Sequence, residues 1–148
     1  MAGETPTVHA SAVLAGARAV LIRGAAGTGK SRLALALIAA AQTGLIRFAR
    51  LVGDDRVHLD ASHGRLLVRP AAALAGLVEI RGVGIQRLEY EARAVVGLVV
   101  DLAASDAERL PTNAEIVIEG IRLLRLTIAP GREALQPLIA ALAMPGRH

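Results

Sequence analysis

The sequence predicts an α/β domain, a mixed sheet with flanking helices, and three stretches carry the prediction. Gly24-Ala25-Ala26-Gly27-Thr28-Gly29-Lys30-Ser31 is glycine-rich and follows Ala19 to Ile22, an apolar run with β-branched residues that reads as a buried strand. After it, Arg32 to Ala41 is rich in Leu and Ala and reads as a helix. Val95 to Leu102 is a second strongly apolar run, suited to a central strand. A chain of 148 residues with no internal repeat or low-complexity linker is expected to form a single domain, 1–148.

In chain order, Val8 to Leu14 reads as a strand, and Ala15-Gly16-Ala17 as a tight turn into the strand at Ala19. The chain therefore starts with a hairpin. The helix after the glycine loop is expected to end near Thr43-Gly44. Leu51-Val52 forms a short strand that runs into Gly53-Asp54-Asp55. Val57 to Leu59 and Arg65 to Val68 read as a hairpin around Asp60-Ala61-Ser62-His63-Gly64. Pro70 can open a short helix over Ala71 to Leu77. Val78 to Gly84 has two glycines beside two charges and reads as a loop. Asp106 to Asn113 is a polar loop, Ile116 to Ile118 and Leu123 to Ile128 are strands, and Ala129-Pro130-Gly131 is a turn. Arg132 to Met144 reads as a last helix, bent or restarted at Pro137.

Composition narrows the function classes. Hydrophobic residues make up 53% of the chain, enough for a core, but the only aromatic residues are Phe48 and Tyr90. The core must be built from Ala, Val, Leu and Ile, and an adenine ring would meet aliphatic side chains or an arginine. There are no cysteines, which excludes disulfides and thiolate metal sites and suits a reducing cytoplasm. No signal peptide is visible, and the longest apolar helical run, Leu33 to Ala41, is too short to span a bilayer. A cytoplasmic protein without membrane contact is expected. The net charge of +4 suits anionic ligands, but the arginines are scattered from Arg18 to Arg147, without the basic block of a nucleic-acid binder.

Gly24 to Ser31 fits the phosphate-binding loop pattern, Gly, four residues, then Gly-Lys-Ser. Its chemistry needs this context. Glycines let successive backbone N–H groups turn inward toward phosphate oxygens, and the positive end of the following helix faces the same anion. Gly24, Ala25, Ala26, Gly27, Thr28 and Gly29 would form the cradle, Lys30 would reach the outer phosphates, and the Ser31 hydroxyl would bind Mg²⁺. Lys30 is the only lysine in the chain. Arginine serves every other basic position, so the lysine is retained for its compact ammonium.

Phosphoryl transfer also needs carboxylates. Asp54-Asp55 and Asp101 both lie at strand ends, where ligands gather in open α/β sheets. Asp54 and Asp55 point different ways on an extended backbone, so one could face metal and the other a substrate; a plain polar turn is the alternative. For Asp101 the alternative is a strand-end cap. Glu79 and Arg81 share one side of an extended segment. They could serve metal and phosphate, or form a surface ion pair.

Four segments occur together in order: His9 before a hairpin, the loop Gly24 to Ser31, Val-Gly-Asp-Asp-Arg-Val at 52–57, and Val-Glu-Ile-Arg-Gly-Val-Gly-Ile at 78–85. In these the chain resembles the catalytic domain of HPr kinase/phosphorylase, over nearly its whole length. The resemblance implies a phosphate-loop fold similar to phosphoenolpyruvate carboxykinase. It implies ATP-dependent phosphorylation of a serine of HPr, the phosphocarrier of the sugar phosphotransferase system, or of an HPr-like carrier. It also implies reversal by phosphorolysis, with phosphate consumed and pyrophosphate released. By the same resemblance Asp55 accepts the serine proton, Asp54 lies near the metal, and Ser31 and Glu79 ligate Mg²⁺. His9 lies near Asp55 and tunes it, Arg109 contacts phosphate, and the Thr127 to Arg132 loop serves the reverse reaction. Arg81 and Arg132 are the phosphate-side cations. His58 and His63 match nothing and are left to the hairpin. The N-terminal domain of full-length members is missing, and the segments Gln86 to Val96 and Arg109 to Thr127 are short. Homo-oligomer formation and reversal are therefore left open. A small-molecule kinase and a non-catalytic nucleotide or phosphate sensor are the competing functions.

Overall fold

The computed structural model describes residues 5–107 and 115–144. Strands β1 (Thr7–Ala15) and β2 (Arg18–Arg23) form the expected opening hairpin. The glycine loop joins β2 to α1 (Lys30–Gln42). After α1 come β3 (Ala49–Gly53), β4 (Arg56–Ser62) and β5 (Arg65–Pro70), then β6 (Leu77–Ile80) and β7 (Gly84–Arg87). The chain ends with β8 (Ala94–Asp101), β9 (Glu115–Ile118), β10 (Ile121–Thr127) and α2 (Leu135–Leu142).

All strands but β6 and β7 belong to one eight-stranded mixed sheet. β8 lies parallel to both β2 and β10, which brings three carboxyl ends to one edge. Two strands bend from one set of partners to another. β1 pairs with β4 through Thr7–His9 and with β2 through Ala10–Ala15. β8 pairs with β5 at Ala94 and Val95, and with β2 from Val96 onward. The pairings β1–β4–β5–β8–β2–β1 therefore close a circuit.

Strand alternation divides the apolar residues between two cores. Ala12, Leu21, Val57, Leu66, Val68 and Val99 fill the inside of the circuit. Val13, Val20, Ile22, Leu98 and Val100 face the other way and pack on Leu33, Ala34 and Leu37 of α1 and Leu138 of α2. Burying a leucine such as Leu37 contributes about 2 kcal/mol, and here it also fixes α1 behind the loop.

Three expectations are corrected. The helix over Ala71 to Leu77 shrinks to a single 3₁₀ turn, Ala72–Leu74. Gly76, at φ 77°, reverses the chain beside Tyr90, and so few residues cannot repay helix nucleation. The loop over Val78 to Gly84 is a hairpin, with Glu79 opposite Ile85 and Ile80 opposite Gly84. The alternation of buried Val78 with exposed Glu79 is a strand signal that the glycines obscured, and Gly82 belongs to the turn. The last helix starts at Leu135, not Arg132. Pro137 lies in its first turn, where the missing N–H costs nothing, so it neither bends nor restarts the helix. The Glu133 carboxylate accepts the N–H of Leu135 and Gln136.

Candidate active site

β2 delivers the chain into the loop, and α1 takes it up. Gly29 stands before the helix at φ 99°, and no side chain caps that end; its first turn carries no acid. The first N–H groups and the positive end of α1 thus have no cap or acid from the helix itself. A Cβ on Gly24 would lie 2.5 Å from Thr28 Oγ1, so only glycine lets the loop close this tightly. Thr28 Oγ1 donates to the Ala25 carbonyl at 2.7 Å, and Lys30 Nζ donates to the Gly24 carbonyl at 2.8 Å. The ammonium therefore sits over the mouth of the loop.

β3 runs antiparallel to β1 and ends at Gly53, bringing Asp54 and Asp55 beside the loop. Asp54 is 5% exposed. The Ser31 hydroxyl donates to it at 2.8 and 2.9 Å, and the Ser11 hydroxyl donates to its Oδ1 at 2.6 Å. Asp55 turns the other way, to solvent, at φ 69°, a left-handed conformation that aspartate tolerates better than most residues. His9 Nδ1 lies 3.9 Å from Asp55 Oδ1, and both side chains are nearly two-thirds exposed. The two aspartates thus divide as expected, one inward and one outward.

The β6–β7 hairpin faces the loop across a cavity of about 1350 Å³. His9, the loop, Lys30, Ser31, Asp54 and Asp55 line one side. Glu79, Arg81, Leu77 and Ile85 line the other. No ion pair joins Glu79 to Arg81 among the described residues, which removes the surface-pair alternative. Of the remaining expected site residues, Arg132 is exposed after the β10 turn and is not among the residues lining the cavity. Arg109 lies outside the described residues. His58 Nδ1–H donates to the Thr5 carbonyl at 2.6 Å, and His63 sits in the β4–β5 turn; both are hairpin residues, as expected.

Asp101 is not at the cavity. It receives Arg23 Nε and Nη2 at 2.7 and 2.8 Å and Arg125 Nε at 2.5 Å; Arg125 also reaches Asp106. Burial pushes the Asp101 carboxyl up, but the two guanidiniums outweigh it and hold it below the usual carboxylate range. The alternative reading was right: Asp101 ties together the ends of β2, β8 and β10. Ser11 is the site residue that sequence reasoning missed. Its signal was a lone hydroxyl in the apolar run Ala10 to Leu14, two residues after His9 and so on the same strand face.

A mixed α/β domain with a glycine loop opposite an acidic strand end is the class that this architecture defines. Among solved structures, that of the HPr(Ser) kinase/phosphatase from Coxiella burnetii superposes with a TM-score of 0.72 at 25% identity, covering 92% of this chain and 87% of that one. The profile of the HPr Serine kinase C-terminal domain matches residues 2–147, and the chain belongs to that family. It is 35% identical to the HPr kinase/phosphorylase of Streptococcus thermophilus over 95% of its own length and 48% of the relative's. It is 34% identical to the HPr kinase/phosphorylase of Clostridium beijerinckii, over 87% and 45% respectively. The chain thus spans about half the length of the curated relatives it matches.

Proposed function

We propose that this chain is an ATP-dependent protein-serine kinase acting on HPr or an HPr-like phosphocarrier. The observation that carries the reading is the division of Asp54 and Asp55. One aspartate is tied to Ser31 at the helix start, while its neighbour faces the open side of the same cavity. The loop from Gly24 to Ser31 is read as a phosphate-binding loop of the phosphoenolpyruvate carboxykinase-like kind. Its N–H groups and Lys30 receive the phosphates of ATP.

Ser31, Asp54 and Glu79 offer hydroxyl and carboxylate oxygens, the donor chemistry of Mg²⁺. Among the described residues no three His, Cys, Asp or Glu side chains form a closed cage. That fits an ion that shares its ligation with phosphate. Bound with ATP, Mg²⁺ would neutralise phosphate charge. Asp55 accepts the proton of the carrier's serine hydroxyl, the serine oxygen forms a bond to the γ-phosphorus, and ADP leaves. His9 beside Asp55 steadies the carboxyl through this proton transfer. Arg81, which lines the cavity, is assigned to phosphate charge. In the phosphorolytic direction, phosphate attacks phosphoserine, pyrophosphate leaves, and Asp55 returns the proton. The setting is cytoplasmic, and association into a homo-oligomer is compatible with the family.

Incubating the purified chain with labelled ATP and the HPr-like protein of the same cell tests the reading. Label should appear on a carrier serine, and Lys30→Ala and Asp55→Ala should each abolish it. Normal turnover by the Asp55 variant would remove Asp55 from its role, and transfer only to small acceptors would favour a small-molecule kinase.

A further inference from the structure

Ser11 lies on β1 with 0% exposure, flanked by buried Ala10, Ala12 and Val13. A hydroxyl in such surroundings is unfavourable unless it is hydrogen-bonded. Here both of its capacities are used. It donates to Asp54 Oδ1 at 2.6 Å, and it accepts the backbone N–H of Asp55 at 3.4 Å. The Asp55 carbonyl in turn accepts the Ala10 N–H at 3.2 Å. The left-handed Asp55 residue is therefore held at both ends by consecutive residues of β1.

Asp54 adds the second half of the argument. It is buried, yet among the described residues no cation pairs with it. Two hydroxyls, from Ser11 and Ser31, take that place. If Ser31 turns its oxygen toward a cation and phosphate, Ser11 remains the donor that fixes the carboxylate plane.

We infer that Ser11 is a positioning residue of the transfer site, orienting Asp54 toward Ser31 and holding Asp55 in its left-handed conformation. The inference rests on the kinase reading for its catalytic consequence, but its geometric content is independent of it. Ser11 touches neither ATP nor the protein substrate. It acts through the two aspartates.

The test uses two variants. Ser11→Ala removes the hydroxyl, and Ser11→Cys keeps nearly the same volume with a much weaker donor and acceptor. Both should bind ATP without Mg²⁺ within about twofold of the wild type. Both should need about tenfold more Mg²⁺ for half-maximal tightening of ATP binding, the loss expected for one hydrogen bond to a charged group. Amide exchange at Asp55 should speed up about tenfold in both, and kcat should fall while KM for the carrier stays constant. A Ser11→Cys chain with wild-type Mg²⁺ dependence and wild-type exchange at Asp55 would overturn the inference and reduce Ser11 to a packing residue. If the wild type transfers no phosphate to any carrier, yet both variants shift Mg²⁺ dependence and exchange, the kinase reading fails and the positioning role stands.

Discussion

The two walls of the cavity are built on opposite principles. On the β1–β2–α1 side, Ser11 and Asp54 are buried and polar groups are bonded to one another. Asp54 takes two hydroxyls, Lys30 reaches two loop carbonyls, and the backbone of Asp55 is tied to β1. On the hairpin side, Glu79, Arg81, Val83 and Ile85 are exposed, and β6 and β7 form a separate two-stranded sheet. A preorganised wall suits chemistry, where groups must not rearrange as charge moves. An exposed wall, with apolar residues beside charges, suits recognition of something larger than a nucleotide. The difference teaches that residues of equal sequence prominence can serve a site in unlike ways.

The sharpest test of this contrast is Asp54→Ala. It removes the acceptor of the buried Ser11 hydroxyl and of Ser31 at once, so transfer should fall about 10³-fold, and ATP binding should lose its Mg²⁺ dependence in calorimetric titrations. Asp101→Ala takes from Arg23 its carboxylate and leaves Arg125 with Asp106 alone. It should destabilise the fold by about 3 kcal/mol, read from urea unfolding. On the hairpin, Glu79→Gln should lower transfer about tenfold while unfolding stays within about 0.5 kcal/mol of the wild type. If it unfolds as readily as the Asp101 variant, the two walls do not differ as described. The smallest effect is with pH. The Asp101 carboxyl is lower in the folded chain than the ordinary value near 3.9, so its contribution is complete above that value and is lost as pH falls below it. Between about pH 4 and pH 2, Asp101→Asn should lose stability less steeply than the wild type.

Much of the preorganised wall was legible in the sequence. The strand, loop and helix from Ala19 to Ala41 combine three signals that agree, apolar run, glycine spacing and helical composition. Asp54 and Asp55 were legible because a strand end is where polar residues collect. The hairpin was not, because glycines at 82 and 84 read as irregular backbone until pairing reveals that one lies in a turn and the other opens β7. Asp101 was left with two readings, since its arginine partners lie 78 and 24 residues away and no local pattern announces them. Ser11 escaped for the same reason: a small hydroxyl in an apolar run gains meaning only from an aspartate 43 residues later.

The closed circuit of strands has a consequence for solubility. A strand flanked on both sides offers no backbone groups to a stranger, and closure gives that protection to the stretches of β1, β2, β4, β5 and β8 that pair on both sides. The outer flank of β3 is met by the segment at Tyr90 and Glu91, through the bridge at Leu51 and the Glu91 N–H at 2.8 Å. Among the described residues of the main sheet, β9 pairs with β10 alone. β9 is only four residues long and begins at a glutamate, two features that discourage intermolecular pairing. This edge strand lies on the far side of β8 and β10 from the glycine-loop strand β2.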